Sequence, residues 1–203
     1  IRERALRLAV DARKEAWYSP FRDVLTGKMA ADHLERYIEF ETDAEGIDAY
    51  QVEFIPGLLQ TARYAQAMAD LFYPDRTAYE RSRFVEFRLA RQDRLARGAD
   101  PLRLRAAIRE TAVRRMLGSA SVMAEQLQRL VVDLDDGNPT VDVRIVPDVL
   151  AVPQAMRGSF LLMRFYGAGR PGLVYIEGWE GADYLQNGAA VSRYADAFAA
   201  SIP

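Results

Sequence analysis

The stretch Glu53-Phe-Ile-Pro-Gly-Leu-Leu-Gln-Thr-Ala-Arg-Tyr-Ala65 marks an abrupt change in the pattern of the sequence. From Tyr50, just before this stretch, apolar side chains recur at every second position into its first residues, which predicts a β-strand. The Pro-Gly pair at 56–57 ends that strand, and apolar residues at helical spacing follow over residues 58–68. The stretch therefore predicts a corner where a strand gives way to a helix, in a fold that combines both.

The residues of this corner have two interpretations. Gly57 allows a turn that a Cβ would hinder, and Leu58 and Leu59 are candidate anchors in the core. The side chains of Gln60 and Thr61 can satisfy N–H groups at the start of the helix. The corner is either purely architectural or also lines a groove for a ligand or partner, and both possibilities stay open at this point.

On either side of the corner, the spacing of apolar residues predicts further elements. Helices are predicted over residues 2–17, 30–45, 58–72, 77–97, 119–134 and 187–200, and strands over 50–55, 101–109, 141–146, 159–166 and 173–177. A glycine-rich turn at 167–172 joins the last two strands as a hairpin. We therefore predict an α+β domain with a mainly antiparallel sheet of about five strands covered by helices.

Length and composition favour a single domain. The chain has 203 residues, of which 50% are hydrophobic and 28% charged, enough for one substantial core. Residues 1–45 are predicted to be a helical lead-in and residues 46–203 the α+β core. Because the chain opens at Ile1 without a Met or a signal sequence, we expect a segment upstream. Apolar runs shorter than about 20 residues predict no membrane segment, and the lack of Cys favours the cytoplasm.

Few residue types that carry chemistry are present. There is no Cys and His33 is the only histidine, which excludes thiolate metal sites, His-rich zinc sites and most serine-hydrolase triads. The acidic cluster at 133–138 lacks the Gly and Glu spacing of a calcium-binding EF-hand loop. We therefore predict no metal, no cofactor and no catalytic residue.

Arginines are concentrated in one part of the chain. The formal net charge of −2 argues against an autonomous nucleic-acid-binding domain, but residues 76–115 hold twelve Arg and five acidic residues, a net charge of +7. The arginines that could bind an acidic protein or a phosphorylated ligand are Arg81, Arg88, Arg91, Arg94, Arg103, Arg105 and Arg109. The alternatives are a solvated surface paired with neighbouring acids and the codon usage of a GC-rich genome.

A second candidate region follows the last predicted strand. Glu177, Glu180 and Asp183 lie close to Trp179 and Tyr184 in the sequence. Carboxylates and aromatic rings together can line a pocket for a polar ligand. The alternative is an acidic rim on an exposed loop.

Motifs spread over most of the chain resemble one family. The resemblance is to the C-terminal domain of actinobacterial Xre-type helix-turn-helix regulators, a group also described as antitoxin-like transcriptional regulators and formerly as a domain of unknown function. The motifs that carry it are Trp17-Tyr18, Tyr37 with Glu41, Pro56-Gly-Leu-Leu-Gln-Thr61 with Tyr64, Arg88-Leu-Ala-Arg-Gln92, Glu110 through Gly118, Gly158-Ser-Phe160 and Val174-Tyr-Ile-Glu177.

The resemblance implies a regulatory domain that binds an effector or a partner. DNA would be bound only through an N-terminal helix-turn-helix module that this chain lacks, and the expected partners are a small acidic protein, a small-molecule effector and a second copy of the chain. The candidate binding residues are Gln60, Thr61, Tyr64, Arg88, Arg91, Gln92, Arg103, Arg105, Glu110, Tyr175 and Glu177.

Two other functions stay open. The first is an enzyme that acts on a nucleotide-like or other anionic substrate, with Glu177 as the key carboxylate and Tyr175, Arg109 or Arg164 holding the substrate. The sequence offers no nucleophile motif or metal set for it, so a non-enzymatic role is favoured. The second is a domain that serves dimerisation alone, as the symmetry of operators requires of many such regulators.

Overall fold

The computed structural model of the protein describes residues 16–26, 34–96, 101–135, 139–150, 158–167, 171–178 and 180–202. The helix predicted over 2–17 falls outside these ranges except for its last two residues, which are not helical. His33, Trp179 and the end of the acidic cluster at 136–138 also lie outside the described residues.

Helices and strands alternate along most of the chain. The helices are α1 (Arg22–Leu25), α2 (Leu34–Asp43), α3 (Ala62–Phe72), α4 (Ala78–Ala96), α5 (Glu110–Arg114), α6 (Ala120–Asp135) and α7 (Gly188–Ser201). The strands are β1 (Ala44–Gln51), β2 (Arg103–Arg109), β3 (Val141–Val146), β4 (Phe160–Phe165), β5 (Leu173–Gly178) and β6 (Gly181–Leu185). The last helix is confirmed, with the side chain of Asn187 as its N-cap.

Within the described residues, the strands form one six-stranded sheet in the order β3-β2-β1-β4-β5-β6. β1 is parallel to β2 and β2 to β3, and the other neighbours are antiparallel. The predicted α+β class is confirmed, but a mainly antiparallel sheet of about five strands matches this mixed sheet only roughly. Helices separate β1 from β2 and β2 from β3, and such crossover connections bring the chain back in the same direction.

Strand β6 occupies the region for which the sequence left open a pocket for a polar ligand or an acidic rim on an exposed loop. Gly178 of β5 pairs with Gly181 of β6, and the two strands run antiparallel from this pair. The φ angle of Gly181 is 137°, a conformation that side chains with a Cβ rarely adopt. The pairing places the ring of Tyr184 5.3 Å from the ring of Tyr175.

Strand β1 lies in the middle of the sheet and differs from its predicted position. It begins at Ala44 instead of Tyr50 and ends at Gln51. Six of its residues are buried because β2 and β4 flank it and both faces of the sheet are covered. A strand buried on both faces lacks the alternation of apolar and polar residues that sequence patterns detect.

The two faces of the sheet carry separate cores. One face packs against helices α1 to α6, and the other packs against α7 through Ala197 and Phe198. Val24, Leu25 and Ile38 belong to the first core, so the described part of the predicted lead-in packs onto the sheet. Among the helices of the described residues, none is both long enough and apolar enough to cross a bilayer.

Candidate ligand-binding site

The corner at residues 55–61 turns the chain from strand to helix in two steps. Gly57–Leu59 form a single 3₁₀ turn whose two leucines are buried. Helix α3 then starts after Thr61, the side chain of which accepts a hydrogen bond from the backbone N–H of Tyr64 at 3.3 Å. Thr61 therefore caps the helix as predicted, since its oxygen satisfies one of the first N–H groups.

Three glutamine side chains hold the backbone of the corner. Gln60 Nε2 donates to the carbonyl of Ile55 at 2.7 Å, and Gln92 Nε2 from α4 donates to the carbonyl of Gln60 at 2.7 Å. Gln126 from α6 donates to the carbonyl of Leu59 at 2.8 Å. The corner is therefore fixed to two helices through its own backbone, as buried polar groups require.

A cavity of about 230 Å³ lies between this corner, helices α2 and α4 and the first face of the sheet. Aliphatic side chains such as Ile47 and Leu104 form its apolar wall. Its aromatic, amide and charged lining residues are Tyr37, Gln51, Phe54, Gln60, Tyr73, Phe84, Arg88, Arg91, Tyr175 and Glu177. The combination of an apolar wall with a few polar groups is typical of small-molecule sites.

Among the described residues, two arginines line this cavity, and Arg91 is the one whose charge is paired with a carboxylate. Its Nε and Nη2 donate to the two carboxylate oxygens of Glu41 at 2.8 and 2.6 Å. Tyr37 donates its hydroxyl proton to Glu41 at 2.6 Å and accepts a hydrogen bond from Arg91 Nη2 at 3.1 Å. Burial alone would lower the pKa of Arg91, but Glu41 and Tyr37 raise it above its ordinary value. Arg91 is thus a neutralised cation.

Arg88 lies one turn earlier on α4 and has no such partner. Within the described residues its one hydrogen bond runs from Nη1 to the amide oxygen Oε1 of Gln60 at 2.6 Å, and its guanidinium lies 4.6 Å from the ring centre of Phe84. Its Nε is shielded from solvent and meets no acceptor in the same residues. Burial, followed by the charge of Arg91, lowers the pKa of Arg88 from 12.5 to about 10. Arg88 is therefore still charged at neutral pH but poorly solvated.

Both guanidinium groups converge on Gly57. A Cβ on this residue would lie 3.7 Å from Arg91 Nη1 and 4.0 Å from Arg88 Nη1. The φ angle of Gly57 is not positive and these distances are ordinary contacts, so the expectation that a Cβ would hinder the turn is wrong. The absent side chain leaves room for a Cβ-sized group in contact with both guanidinium groups.

Tyr175 and Glu177 line the cavity from strand β5. They are two residues apart and so project from the same face of the sheet. Burial, together with the charge of Glu177, raises the pKa of Tyr175 above its ordinary value, whereas Glu177 is exposed. The ring of Tyr175 lies 4.7 Å from that of Tyr37. The cavity is therefore aromatic inside and carries a carboxylate where it meets solvent.

The structure brings five of the residues singled out by sequence around this cavity: Gln60, Arg88, Arg91, Tyr175 and Glu177. Gln92 lies behind the corner and supports it. The interpretation of the arginines of α4 as a solvated outer surface is wrong for Arg91, which is 8% exposed, and Arg88 turns inward beside it. The neighbouring Arg81 is bound to Asp70 and Arg94 to the carbonyl of Ala44.

Other candidates lie away from the cavity. Tyr64 is buried in the core and accepts a hydrogen bond from the N–H of Ile55. Arg103 and Arg105 lie on the opposite face of the sheet, where Arg105 binds Asp48 through hydrogen bonds of 2.7 and 2.6 Å. Glu110 lies at the start of α5. It accepts hydrogen bonds from the Asp148 N–H and from Arg114, and these lower its pKa.

Several residues that build the cavity were missing from the sequence-based site. Glu41 is the most important, because it neutralises Arg91. A signal existed, since Glu41 follows Leu34, Tyr37 and Ile38 at helical spacing on an apolar face, where a carboxylate needs a buried cation. Tyr73 and Phe84 gave no signal beyond that of ordinary core residues. The described residues contain no cluster of three or more His, Asp or Glu suited to a metal.

Comparison with known proteins places the chain in a family. A family model described as "Domain of unknown function (DUF5753)" matches residues 34–201, and the chain belongs to this family. The matched region contains the corner, the cavity and all six strands. No curated protein and no solved structure shows significant similarity to the chain.

Proposed function

We propose that this domain is the effector-binding regulatory domain of a helix-turn-helix transcriptional regulator, and that the effector is a small molecule with an anionic group that binds in the cavity. The observation that carries the proposal is the environment of Arg88. This cation faces a cavity and has an amide, not a carboxylate, as its hydrogen-bond acceptor among the described residues.

An unpaired cation at such a place does not help folding. Removing a charged group from water costs free energy unless a counter-charge is close. The free N–H groups of Arg88 are instead suited to carboxylate or phosphate oxygens, which guanidinium binds through charge-assisted hydrogen bonds.

The position of the cavity supports coupling to a module upstream. Helix α2 contributes Leu34 and Tyr37 to the cavity wall and holds Arg91 through Glu41. The segment before α2 is the one from which the resemblance to Xre-type regulators expects the DNA-binding module to extend. A ligand that changes the packing of α2 would therefore act on the connection to that module. Such a regulator would work in the cytoplasm and bind a symmetric operator as a homodimer.

The proposal is tested by thermal unfolding of the purified chain with a panel of small anions and neutral analogues. A ligand that binds the folded state alone raises the melting temperature, and we expect this for anions and not for their neutral analogues. Arg88→Met should abolish the shift. Arg63→Met is the matched control, because Arg63 is exposed and bound to Glu125 outside the cavity. Equal shifts in the parent chain and in both variants would contradict the proposal.

A further inference from the structure

On the basis of the function proposed above, we propose that the effector is an aromatic monocarboxylate: a single ring that carries one carboxylate group. The carboxylate would bind Arg88 at the Gly57 end of the cavity, and the ring would pack among the tyrosines. Three properties of the cavity carry this inference, namely its charge, its aromatic wall and its size.

The charge of the cavity fits one negative charge. Glu41 lies within 2.6 Å of Arg91 and neutralises it, so one cation of the wall remains without a hydrogen-bonded carboxylate in the described part of the chain. Glu177 contributes a carboxylate to the same wall, where its charge partly offsets that of Arg88, and it would repel a second anionic group on the ligand. A carboxylate provides one charge at neutral pH, whereas a phosphate monoester carries between one and two.

The aromatic residues fit a flat apolar body. Tyr37, Tyr73, Phe84 and Tyr175 all line the cavity. Tyr37 and Tyr175 have ring centres 4.7 Å apart, and Tyr73 and Phe84 have ring centres 5.2 Å apart. Aromatic rings prefer edge-to-face and offset contacts at such distances, and a ligand ring can extend such a pair.

The size of the cavity is suited to one ring with a short substituent. Its volume of about 230 Å³ is below the roughly 300 Å³ at which pockets for drug-sized ligands begin. A nucleotide, with a base, a sugar and one or more phosphates, exceeds this volume and brings charge that Glu177 opposes. The inference therefore also favours a carboxylate over the nucleotide-like ligand considered from sequence.

The position of Gly57 specifies where the carboxylate binds. The space that a side chain would fill there is within 4.0 Å of nitrogen atoms of both Arg88 and Arg91. Two N–H donors of Arg91 already bind Glu41, so Arg88 is the cation that offers free N–H groups. The charge of Arg91 also attracts an anion at this position. Gly57 thus leaves room for a ligand atom beside the guanidinium groups of both arginines.

The test compares four probes at equal concentration with the whole chain: phenylacetate, the neutral phenylacetamide, the saturated cyclohexylacetate and the more highly charged phenyl phosphate. We expect phenylacetate to raise the melting temperature by about 2 to 4 °C once its concentration is some five times its dissociation constant. Phenylacetamide and phenyl phosphate should bind at least tenfold more weakly, and cyclohexylacetate should bind more weakly than phenylacetate. Arg88→Met should remove the effect of phenylacetate, and Arg63→Met should keep it.

The outcomes separate this inference from the proposed function. In one outcome, phenyl phosphate or cyclohexylacetate stabilises the chain more than phenylacetate does, with the effect lost in Arg88→Met. That result would overturn the aromatic monocarboxylate as the ligand but leave anion binding at Arg88 intact. Each probe is tested at 20 times the protein concentration and at higher concentrations to beyond 10 mM. If none of them stabilises the chain, both the inference and the proposed function are overturned. Equal stabilisation by phenylacetate and phenylacetamide would also overturn both, because the negative charge of the ligand would then play no part in binding.

Discussion

Arg88 and Arg91 lie three residues apart on α4, reach the same point beside Gly57 and differ in their partners. Arg91 is held by two hydrogen bonds to the carboxylate of Glu41, whereas Arg88 donates to the amide oxygen of Gln60. One arginine therefore completes the structure of the domain, and the other offers its charge to the cavity.

The first prediction concerns the pair of Glu41 and Arg91. Glu41→Gln keeps the shape of the side chain but leaves Arg91 without its counter-charge, and both residues are buried, at 1% and 8% exposure. Breaking such a pair from one side costs about 3–5 kcal/mol, so the free energy of unfolding in urea should fall by about that amount. Glu39→Gln, on the exposed side of the same helix, is the control. A change below about 1 kcal/mol for Glu41→Gln would show that the pair contributes little.

The second prediction is that Arg88 is not needed for folding. Arg88→Met removes a poorly solvated cation but also the donor to the buried amide oxygen of Gln60, so the free energy of unfolding without ligand should fall by no more than about 1–2 kcal/mol. Urea unfolding with a constant slope gives this value. A loss of more than about 2 kcal/mol would assign Arg88 a structural role and weaken its assignment as a ligand-binding residue.

The third prediction concerns alkaline pH. The pKa of Tyr175 is raised in the folded chain, so above pH 10 the unfolded chain loses this proton while the folded chain keeps it. The unfolded state then binds fewer protons, and stability falls with rising pH by up to about 1.4 kcal/mol per pH unit for this residue. Tyr175→Phe should therefore lose less stability than the parent chain between pH 10 and 11, as measured by urea unfolding. Parallel pH profiles would contradict the effect of burial on Tyr175.

The fourth prediction contrasts two glycines. Gly57→Ala should leave the stability unchanged or raise it by about 0.4–1 kcal/mol, because its φ is not positive and the new Cβ makes ordinary contacts. Gly118→Ala should destabilise the chain, since Gly118 has a φ of 69° and its Cβ would lie 3.0 Å from the Cβ of Ala67. Melting temperatures of the two variants check the contrast. A stable Gly118→Ala variant, or an unstable Gly57→Ala variant, would contradict these environments.

Much of the fold follows from local sequence patterns, and the exceptions have physical reasons. The strands around residues 141–146 and 173–177 and the final helix were predicted within a few residues, because each carries a regular apolar pattern. Strand β1 was misplaced since a central strand is buried on both faces. The parallel half of the sheet was missed although helices separate β1, β2 and β3, an order that predicts crossover connections.

The site could be predicted in part. The corner motif and the residues of β5 were identified through the family resemblance, and the structure brings them together. Arg88 and Arg91 were candidate binding residues on an outer surface of the helix, with a solvated surface as the alternative, because charged side chains are rarely buried. Arg88 and Arg91 follow Phe84 by four and seven residues, which places them on the same side of the helix as Phe84. Their charge concealed this signal in the sequence. Glu41 neutralises Arg91, whereas Gln60 gives Arg88 only an amide acceptor. This difference depends on contacts between distant segments of the chain, which no local sequence pattern contains.

The central claim is that Arg88 binds the carboxylate of the effector, and an NMR titration of chain labelled with ¹⁵N-arginine tests it most directly. The Nε atoms of Arg88 and Arg94 are both shielded from solvent and have no acceptor among the described residues, so both N–H groups should give observable signals, and Arg94 lies outside the cavity wall. The account predicts that phenylacetate shifts the Arg88 signal, identified by its loss in Arg88→Met, and leaves the Arg94 signal in place. An Arg88 signal that stays unchanged as phenylacetate is added to saturation or to 10 mM would contradict it.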